Sequence, residues 1–581
     1  MKANFHPKVL WLGMNDAYAN LPFIQKYAPK YYSEVDFEIS DLQNPQILSK
    51  ARSVKIIRSA KIQDYTRDKK GLVIKALRSK SKTLQSLKGS DLDLHDHFPN
   101  LQQFRLLTES LSSWRAFVRL KRLKSLTIES VALEIETAEN FKAFGRFKWR
   151  FWAHVVEMKS LKHLSCNFYG IITTSNYHFL QKLSSFWGFL SSLKTLTLDL
   201  NFLEDQNFEA FNLDQLYQHV SILRAKELSP SVFTRFLGNF QCYQNLQELS
   251  ILQVMILEEN EKPQPALVCL KNFYILSKLR TLELSFDFSA EKDFTSFLEN
   301  FSLPLNIQNI RLSFQELTLD DVQATISSDL YSQFCQKWKD LPDLNSLSFT
   351  FFESSNVDSF KEFNLILPIL KTISRLTSLY FSSSNDIGVE SKANLISFQC
   401  LWDSIQHLQP TLETLYLESA FISIQNTQIE APSEAMKHLS ICGKIIGEDQ
   451  MLNLFKLFSH DASCKPQLFL EALTPTSKKE LIRLLKGFRY IPSHINACIN
   501  INMTSLDARD VISVFCNDDN TLKIRNKGNL KLCLSNTPKL KQSNLDRIVN
   551  AFEKNGTLDC LQISDQGGNI LFSGENWDEI S

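Results

Sequence analysis

One spacing of apolar residues recurs along the chain: apolar, two others, apolar, one other, apolar. It reads Leu101/Phe104/Leu106, Leu123/Leu126/Ile128, Leu161/Leu164/Cys166, Leu193/Leu196/Leu198, Leu246/Leu249/Ile251 and Leu279/Leu282/Leu284. It continues as Ile307/Ile310/Leu312, Leu344/Leu347/Phe349, Leu376/Leu379/Phe381, Leu412/Leu415/Leu417, Met436/Leu439/Ile441 and Leu558/Leu561/Ile563. Twelve such phrases, most of them 22 to 38 residues apart, are too regular for chance and mark an internal repeat. The second half of each phrase alternates, which is the two-residue period of a strand with one buried face. In several phrases the buried set runs on by two residues, to Leu200, Phe286, Phe314 and Phe351.

Between phrases, apolar residues recur three and four apart. This spacing predicts amphipathic helices over Tyr177–Leu190, Ser229–Phe240, Lys292–Phe301, Asp329–Trp338, Asn364–Ile373 and Leu395–Leu408. A lone strand–helix pair cannot bury both of its apolar faces. A stack of them can, around one elongated core. Two gaps are long. HVSILRAKEL, with Val220 and Leu223, fills the first as a degenerate unit. The second, after Met436, carries strand alternations at Ala497/Ile499/Ile501, Leu522/Ile524 and Leu530/Leu532/Leu534. It also carries helical spacing over Lys478–Phe488, Leu506–Phe515 and Leu545–Phe552. Upstream, Val35/Phe37/Ile39, Val54/Ile56 and the partial phrase Thr83–Leu87 read as short strands. The expected organisation is an N-terminal cap or degenerate repeats over 1–90, regular repeats over 91–430, and irregular repeats with a cap over 431–581.

Composition narrows the function classes. A chain of 581 residues outgrows one compact core, so a linear array fits it. A formal net charge of +1 creates no global field for nucleic acid or membrane. Only 16 glycines are present, and neither a Walker-type loop nor a dinucleotide fingerprint is found. Eleven cysteines, an odd number without a CxxC pair, oppose a disulfide framework and a structural zinc site. They suit a reducing compartment. The N-terminal apolar stretch is too short for a secretory signal, and no run of about 18 apolar residues occurs. The expectation is a soluble, cytoplasmic protein.

The pattern resembles the leucine-rich-repeat family over roughly residues 84 to 570, in its long-repeat, ribonuclease-inhibitor-like form with a full helix per unit. The resemblance implies an α/β horseshoe solenoid, with a parallel strand layer on the concave side and helices on the convex side. It also implies a protein partner, no cofactor and no catalytic centre. One departure stands out. The family places Asn or Cys eight residues after the first Leu, and here only Asn201 fits. The equivalent positions hold Glu109, Val131, Tyr169, Val254, Asp287, Gln315, Phe352, Ser384 and Ala420. Such turns are expected to be irregular. Family members also include ubiquitin-ligase substrate receptors and GTPase regulators. Leu21–Pro22 begins like an F-box, but the apolar pattern that should follow is missing.

Residues between the buried ones form the outer strand face. The candidate protein-binding positions are His163, Thr195, Thr197, Glu248, Glu283, Arg311, Tyr380 and Tyr416, with the tyrosines as anchors. A competing site lies at 50–88, where thirteen Lys or Arg face two Asp and could take phosphate from RNA or anionic lipid. A solvated face of the cap is the preferred account of it. Phe141–Trp152 reads as a repeat helix packed on the core rather than a membrane-contacting one. His95, Asp96 and His97 lack a third metal ligand and read as a turn before Pro99. Cys166, at a buried phrase position, reads as core rather than nucleophile.

Overall fold

The computed structural model describes four short strands before residue 99 and then 100–106, 122–132, 158–169, 193–201, 220–225, 230–238, 243–256, 265–288, 291–315, 328–352, 359–384, 396–408, 410–419, 422–423, 435–442, 467–491, 495–515, 529–555 and 560–575, with the isolated residues 155, 240 and 454. The readings at His95–His97, Phe141–Trp152, Tyr177–Leu190 and Leu522/Ile524 lie outside these residues, as do the side chains of 50–88. The chain divides into two compact units, Met1–Met255 and Ile256–Ser581.

The first unit is a ladder of parallel strands: β1 (Leu10–Leu12), β2 (Val35–Phe37), β3 (Ile57–Ile62), β4 (Ser86–Gly89), β5 (Gln103–Leu106), β6 (Ser125–Ala132), β7 (His163–Tyr169), β8 (Thr195–Asn201), β9 (Val220–Ala225) and β10 (Glu248–Ile256). Each pairs with the next in chain order, all parallel. The strand reading at Val54/Ile56 lies outside the described residues, β3 begins at Ile57, and β1 carries no phrase at all. The degenerate unit at Val220 is a strand, as its alternation predicts. Helix α1 (Pro230–Gly238) follows it, burying Phe233, Phe236 and Leu237. Phe236 packs edge-on against Phe240 and Tyr243, with ring centroids 5.1 and 5.0 Å away.

The second unit repeats the scheme with β11 (Thr281–Phe288), β12 (Asn309–Gln315), β13 (Ser346–Phe352), β14 (Ser378–Ser384), then β15 (Ile396–Ser397), β16 (Thr414–Ser419), β17 (Ile422–Ser423) and β18 (His438–Cys442). It goes on through β19 (Gln467–Leu473), β20 (Asn496–Asn502), β21 (Asn529–Thr537), β22 (Cys560–Asp565) and β23 (Ile570–Glu575). β15 and β17 form a separate small pair. The remainder is one parallel ladder in chain order, except that β23 turns back antiparallel on β22. Between strands run α2 (Pro265–Val268), α3 (Glu291–Asn300), α4 (Ser328–Lys339), α5 (Ser359–Thr372), α6 (Phe398–Ile405), α7 (Lys478–Gly487), α8 (Ala508–Phe515) and α9 (Gln542–Asn555). Successive helices pack side by side along α3–α4–α5–α6 and along α7–α8–α9. Strand, helix, parallel strand is the leucine-rich-repeat solenoid plan, and each unit follows it.

Register explains why the phrase works. Leu282, Ile310, Leu347, Leu379, Leu415 and Leu439 align across six strands and are at most 1% exposed. Leu284, Leu312, Phe349, Phe381 and Leu417 form the next buried row. Among the described residues the first apolar residue of the phrase, Leu279 or Leu344 for example, is buried. Phenylalanine supplies the third row, Phe286–Phe314–Phe351, with centroids 6.4 and 5.3 Å apart. From the helix side, Phe294 and Phe297 pack against these rings, and Phe301 and Phe334 pack in turn against Phe297.

Two devices join neighbouring repeats. The carbonyl of the second phrase residue accepts hydrogen bonds from two consecutive amides of the next repeat. Gln308 and Asn309 both donate to Arg280, Asn345 and Ser346 to Gln308, and Thr377 and Ser378 to Asn345, at 2.8–3.0 Å. On the helix side, polar side chains reach the preceding repeat's carbonyls. Ser302 Oγ donates to Lys271 O (2.6 Å), Lys337 Nζ to Glu299 O (2.8 Å) and Thr372 Oγ1 to Cys335 O (3.1 Å). His407 Nε2, protonated in the tautomer this contact needs, donates to Ile373 O at 2.8 Å. These bonds tie each helix or its end to the repeat before it.

Helix starts are also written locally. Ser477 caps α7 by accepting from the Glu480 amide at 3.3 Å, while the Glu480 carboxylate accepts from the amide and hydroxyl of Thr476. Asp507 accepts from the Asp510 amide at 2.7 Å ahead of α8.

Candidate functional site: the outer strand face

Side chains opposite the helices line up in rows fixed by the same register. In the first unit Ser125, His163 and Thr195 align, and beside them Thr127, Ser165 and Thr197. His163 is exposed, and its Nδ1 lies 2.7 Å from Thr195 Oγ1. Thr197 is half-buried and faces Ile222 of β9, which in turn faces Glu248. Glu248 is engaged: Arg224 donates to its Oε1 from Nε (2.9 Å) and from Nη2 (2.7 Å). The sequence reading named Glu248 and missed Arg224, which sits on the degenerate strand.

In the second unit one row runs Glu283–Arg311–Ser348–Tyr380–Tyr416–Ser440–Phe469. Glu283 and Arg311 approach to 3.8 Å, with the Arg311 side chain 63% exposed. That exposed pair contributes little stability, at most about 1 kcal/mol. Tyr380 and Tyr416 stack with centroids 4.5 Å apart and planes 8° from parallel. Thirty-six residues separate them in sequence, and adjacent parallel strands bring them to one strand spacing. Both are half-buried, which is the environment of an aromatic anchor. Phe469 extends the aromatic character of the row, and the sequence reading missed it along with the rest of β19.

The eight candidates thus fall in two groups by unit: His163, Thr195, Thr197 and Glu248 in the first, Glu283, Arg311, Tyr380 and Tyr416 in the second. The Cys166 thiol is fully buried on the opposite, inner side of β7. Burial also pushes the Cys335 thiol up to about 11, so it stays protonated at neutral pH. Among the described residues, no cluster of three or more His, Cys, Asp or Glu is placed to hold a metal ion. No helix among them is long and apolar enough to cross a membrane.

No protein-family model matches the chain. No curated protein matches it either. Among solved structures, the crystal structure of the Rad7 and Elc1 complex in yeast is similar over 80% of this chain and 98% of that one, at 15% identity and a TM-score of 0.33. An internalin (inlF) from Listeria monocytogenes is similar over 66% of this chain and 87% of that one, at 11% identity and a TM-score of 0.26. The leucine-rich-repeat architecture itself rests on the register and buried rows of this chain's own strands.

Proposed function

We propose that this protein is a non-enzymatic interaction scaffold of the long-repeat, ribonuclease-inhibitor-like kind, acting in the cytoplasm and holding a protein partner against its outer strand face. The observation that carries the reading is the Tyr380–Tyr416 stack, two half-buried rings on a rigid ladder. Two rings already held in place lose little side-chain entropy when a partner covers them. Glu283 and Arg311, in the same unit, would supply polar contacts around such anchors, and His163, Thr195, Thr197 and Glu248 offer a separate polar face on the first unit.

The test is replacement of Tyr380 and Tyr416 together by Ala, followed by quantitative affinity capture against the wild type. At least one captured protein should fall by about tenfold or more, as loss of an aromatic anchor gives, while the circular dichroism spectrum stays unchanged. Full retention of every captured protein by a folded variant removes the second-unit face from consideration.

A further inference from the structure

A second surface stands apart from the outer face: the edge at which strands of the first unit begin. The second residue of the phrase is Lys124 ahead of β6, Lys162 ahead of β7 and Lys194 ahead of β8. The backbone links the three in series. Lys162 and His163 donate their amides to Lys124 O at 2.8 and 3.0 Å, and Lys194 and Thr195 donate theirs to Lys162 O at 2.7 and 3.2 Å. The lysines therefore stand on consecutive rungs, about 4.8 Å apart. Lys124 and Lys194 are exposed and Lys162 is half-buried. Exposed Arg122 and Lys159 lie just upstream on the same edge.

Like charges on neighbouring rungs repel, so this arrangement works against the fold. The second unit shows the alternative. There the same position reads Arg280, Gln308, Asn345, Thr377, Glu413 and Lys437 along the ladder, with no two cations adjacent. Arg280 reaches Asp343 at 3.8 Å, and Lys437 pairs with Glu413 on the adjoining rung at 2.8 Å. In the first unit, among the described residues, Lys124, Lys159 and Lys194 make no ion pair. Arg122 donates to the neutral Asn100 side chain at 2.7 Å. A row of lysines that the described residues do not neutralise fits a partner that brings the carboxylates.

Spacing decides the form of that partner. Carboxylates three or four residues apart on one helix face recur about 5–6 Å apart. Those on one side of an extended strand recur about 6.7 Å apart. Over two rungs the helix departs from the lysine spacing by about 1 Å and the strand by about 4 Å. A flexible lysine stem absorbs the smaller mismatch. Nucleic acid is the rival polyanion, and among the described residues this edge holds no exposed aromatic ring on which a base could stack. We propose that the Lys124–Lys162–Lys194 edge binds an acidic helix of a protein partner, laid across the strands with Asp or Glu at i, i+4 and i+7 over the three lysines. The site lies in the first unit and does not depend on the tyrosine face, so either can fail alone.

The experiment is a fluorescence anisotropy titration of the full-length protein against labelled synthetic helical peptides of about 20 residues, long enough to hold a helix in water. One peptide carries its glutamates in a single i, i+4, i+7 stripe, and a second carries the same number spread around the helix. The striped peptide should bind at low salt, weaken as salt rises, and bind about fivefold more tightly than the spread one. Lys124→Gln/Lys162→Gln/Lys194→Gln should weaken it about tenfold with an unchanged circular dichroism spectrum, as loss of three exposed ion pairs gives. Lys437→Gln, on the balanced edge of the second unit, should bind it as the wild type does. No binding at low salt, equal binding of the two peptides, or full retention by the triple variant overturns the proposal. Tighter binding of an RNA duplex, a single-stranded oligonucleotide or phosphatidylserine vesicles than of the striped peptide, lost in the triple variant, assigns the edge to phosphate and overturns it as well.

Discussion

Phe297 is the sharpest test of how the second unit is held together. It sits on α3, 1% exposed, and touches six other rings: Phe286 at 5.1 Å, Phe288 at 5.9, Phe294 at 6.0, Phe301 at 4.8, Phe314 at 5.8 and Phe334 at 6.0. These belong to β11, β12, α3, α4 and the turn after α3, so one side chain ties two strands to two helices. Burying a Phe removes about 150–250 Å² from water, worth about 4–6 kcal/mol as an upper figure at 25 cal/mol/Å². Truncation of a buried Phe to Ala costs about 3–5 kcal/mol. Phe297→Leu keeps most of the volume but loses the ring edges and faces, so about 1–2 kcal/mol is expected. Leu305 is the control at 64% exposure, where Ala should cost no more than about 0.5 kcal/mol. In a repeat array, damage spreads through nearest-neighbour interfaces. Hydrogen exchange followed by mass spectrometry should therefore show lost protection in β11, β12 and α4 of Phe297→Ala, while strands β5 to β9 stay unchanged. Protection equal to wild type in those elements, or a larger loss in Leu305→Ala, would refute the ring cluster as the tie between repeats.

Other outcomes follow from the same geometry. Leu282→Ala and Leu347→Ala, both at fully buried positions, should each cost about 2–5 kcal/mol in urea unfolding, against about 1 kcal/mol for Thr281→Ala, whose hydroxyl accepts from Asn309 Nδ2 at 3.1 Å. Equal costs would mean the strand register is wrong. Hydrogen bonds from the Asn569 side chain and from the backbone amides of Asn569 and Gly567 hold the Asp565 carboxyl below its ordinary value. Because folding lowers that value, its contribution to the β22–β23 turn is complete above the unfolded value of about 4 and disappears as pH falls through the folded one. Amide exchange in the turn should show that acid dependence, and Asp565→Asn should abolish it. With iodoacetamide at pH 8, exposed Cys400 should react well before Cys335, whose buried thiol is held protonated. The reverse order would contradict the packing around α4.

Much of this was legible in the sequence because the phrase couples two periods that physics keeps apart, the two-residue strand and the 3.6-residue helix. Strands β5 to β8, β10 to β14, β16, β18 and β22 all sit on a phrase. α4 and α9 enclose the stretches read as helical, and α3, α5 and α6 cover most of theirs. β19 escaped because Lys465 stands where the first apolar residue belongs and Pro466 follows it. Only the pair Leu468/Leu470 remained as a signal. Missing β19 hid Phe469 and the continuation of the outer row. Arg224 escaped for a similar reason: β9 begins without the anchoring Leu and shifts register against β8. Tyr380 and Tyr416 were placed on one face from alternation alone. Their stacking depends on strands 36 residues apart being immediate neighbours, which only register supplies. The bonds from Ser302, Lys337, Thr372 and His407 to preceding carbonyls use four different residue types, so no repeated letter announces them.

The reversed strand β23 has a consequence for self-association. A stack of parallel rungs is directional, and its last rung is a template on which a further parallel rung can grow, including one lent by another molecule. On β22 that template is already taken by β23, a neighbour running the opposite way that belongs to the same chain. Removing β23 would leave β22 with a bare edge on which a strand of another molecule could pair in parallel.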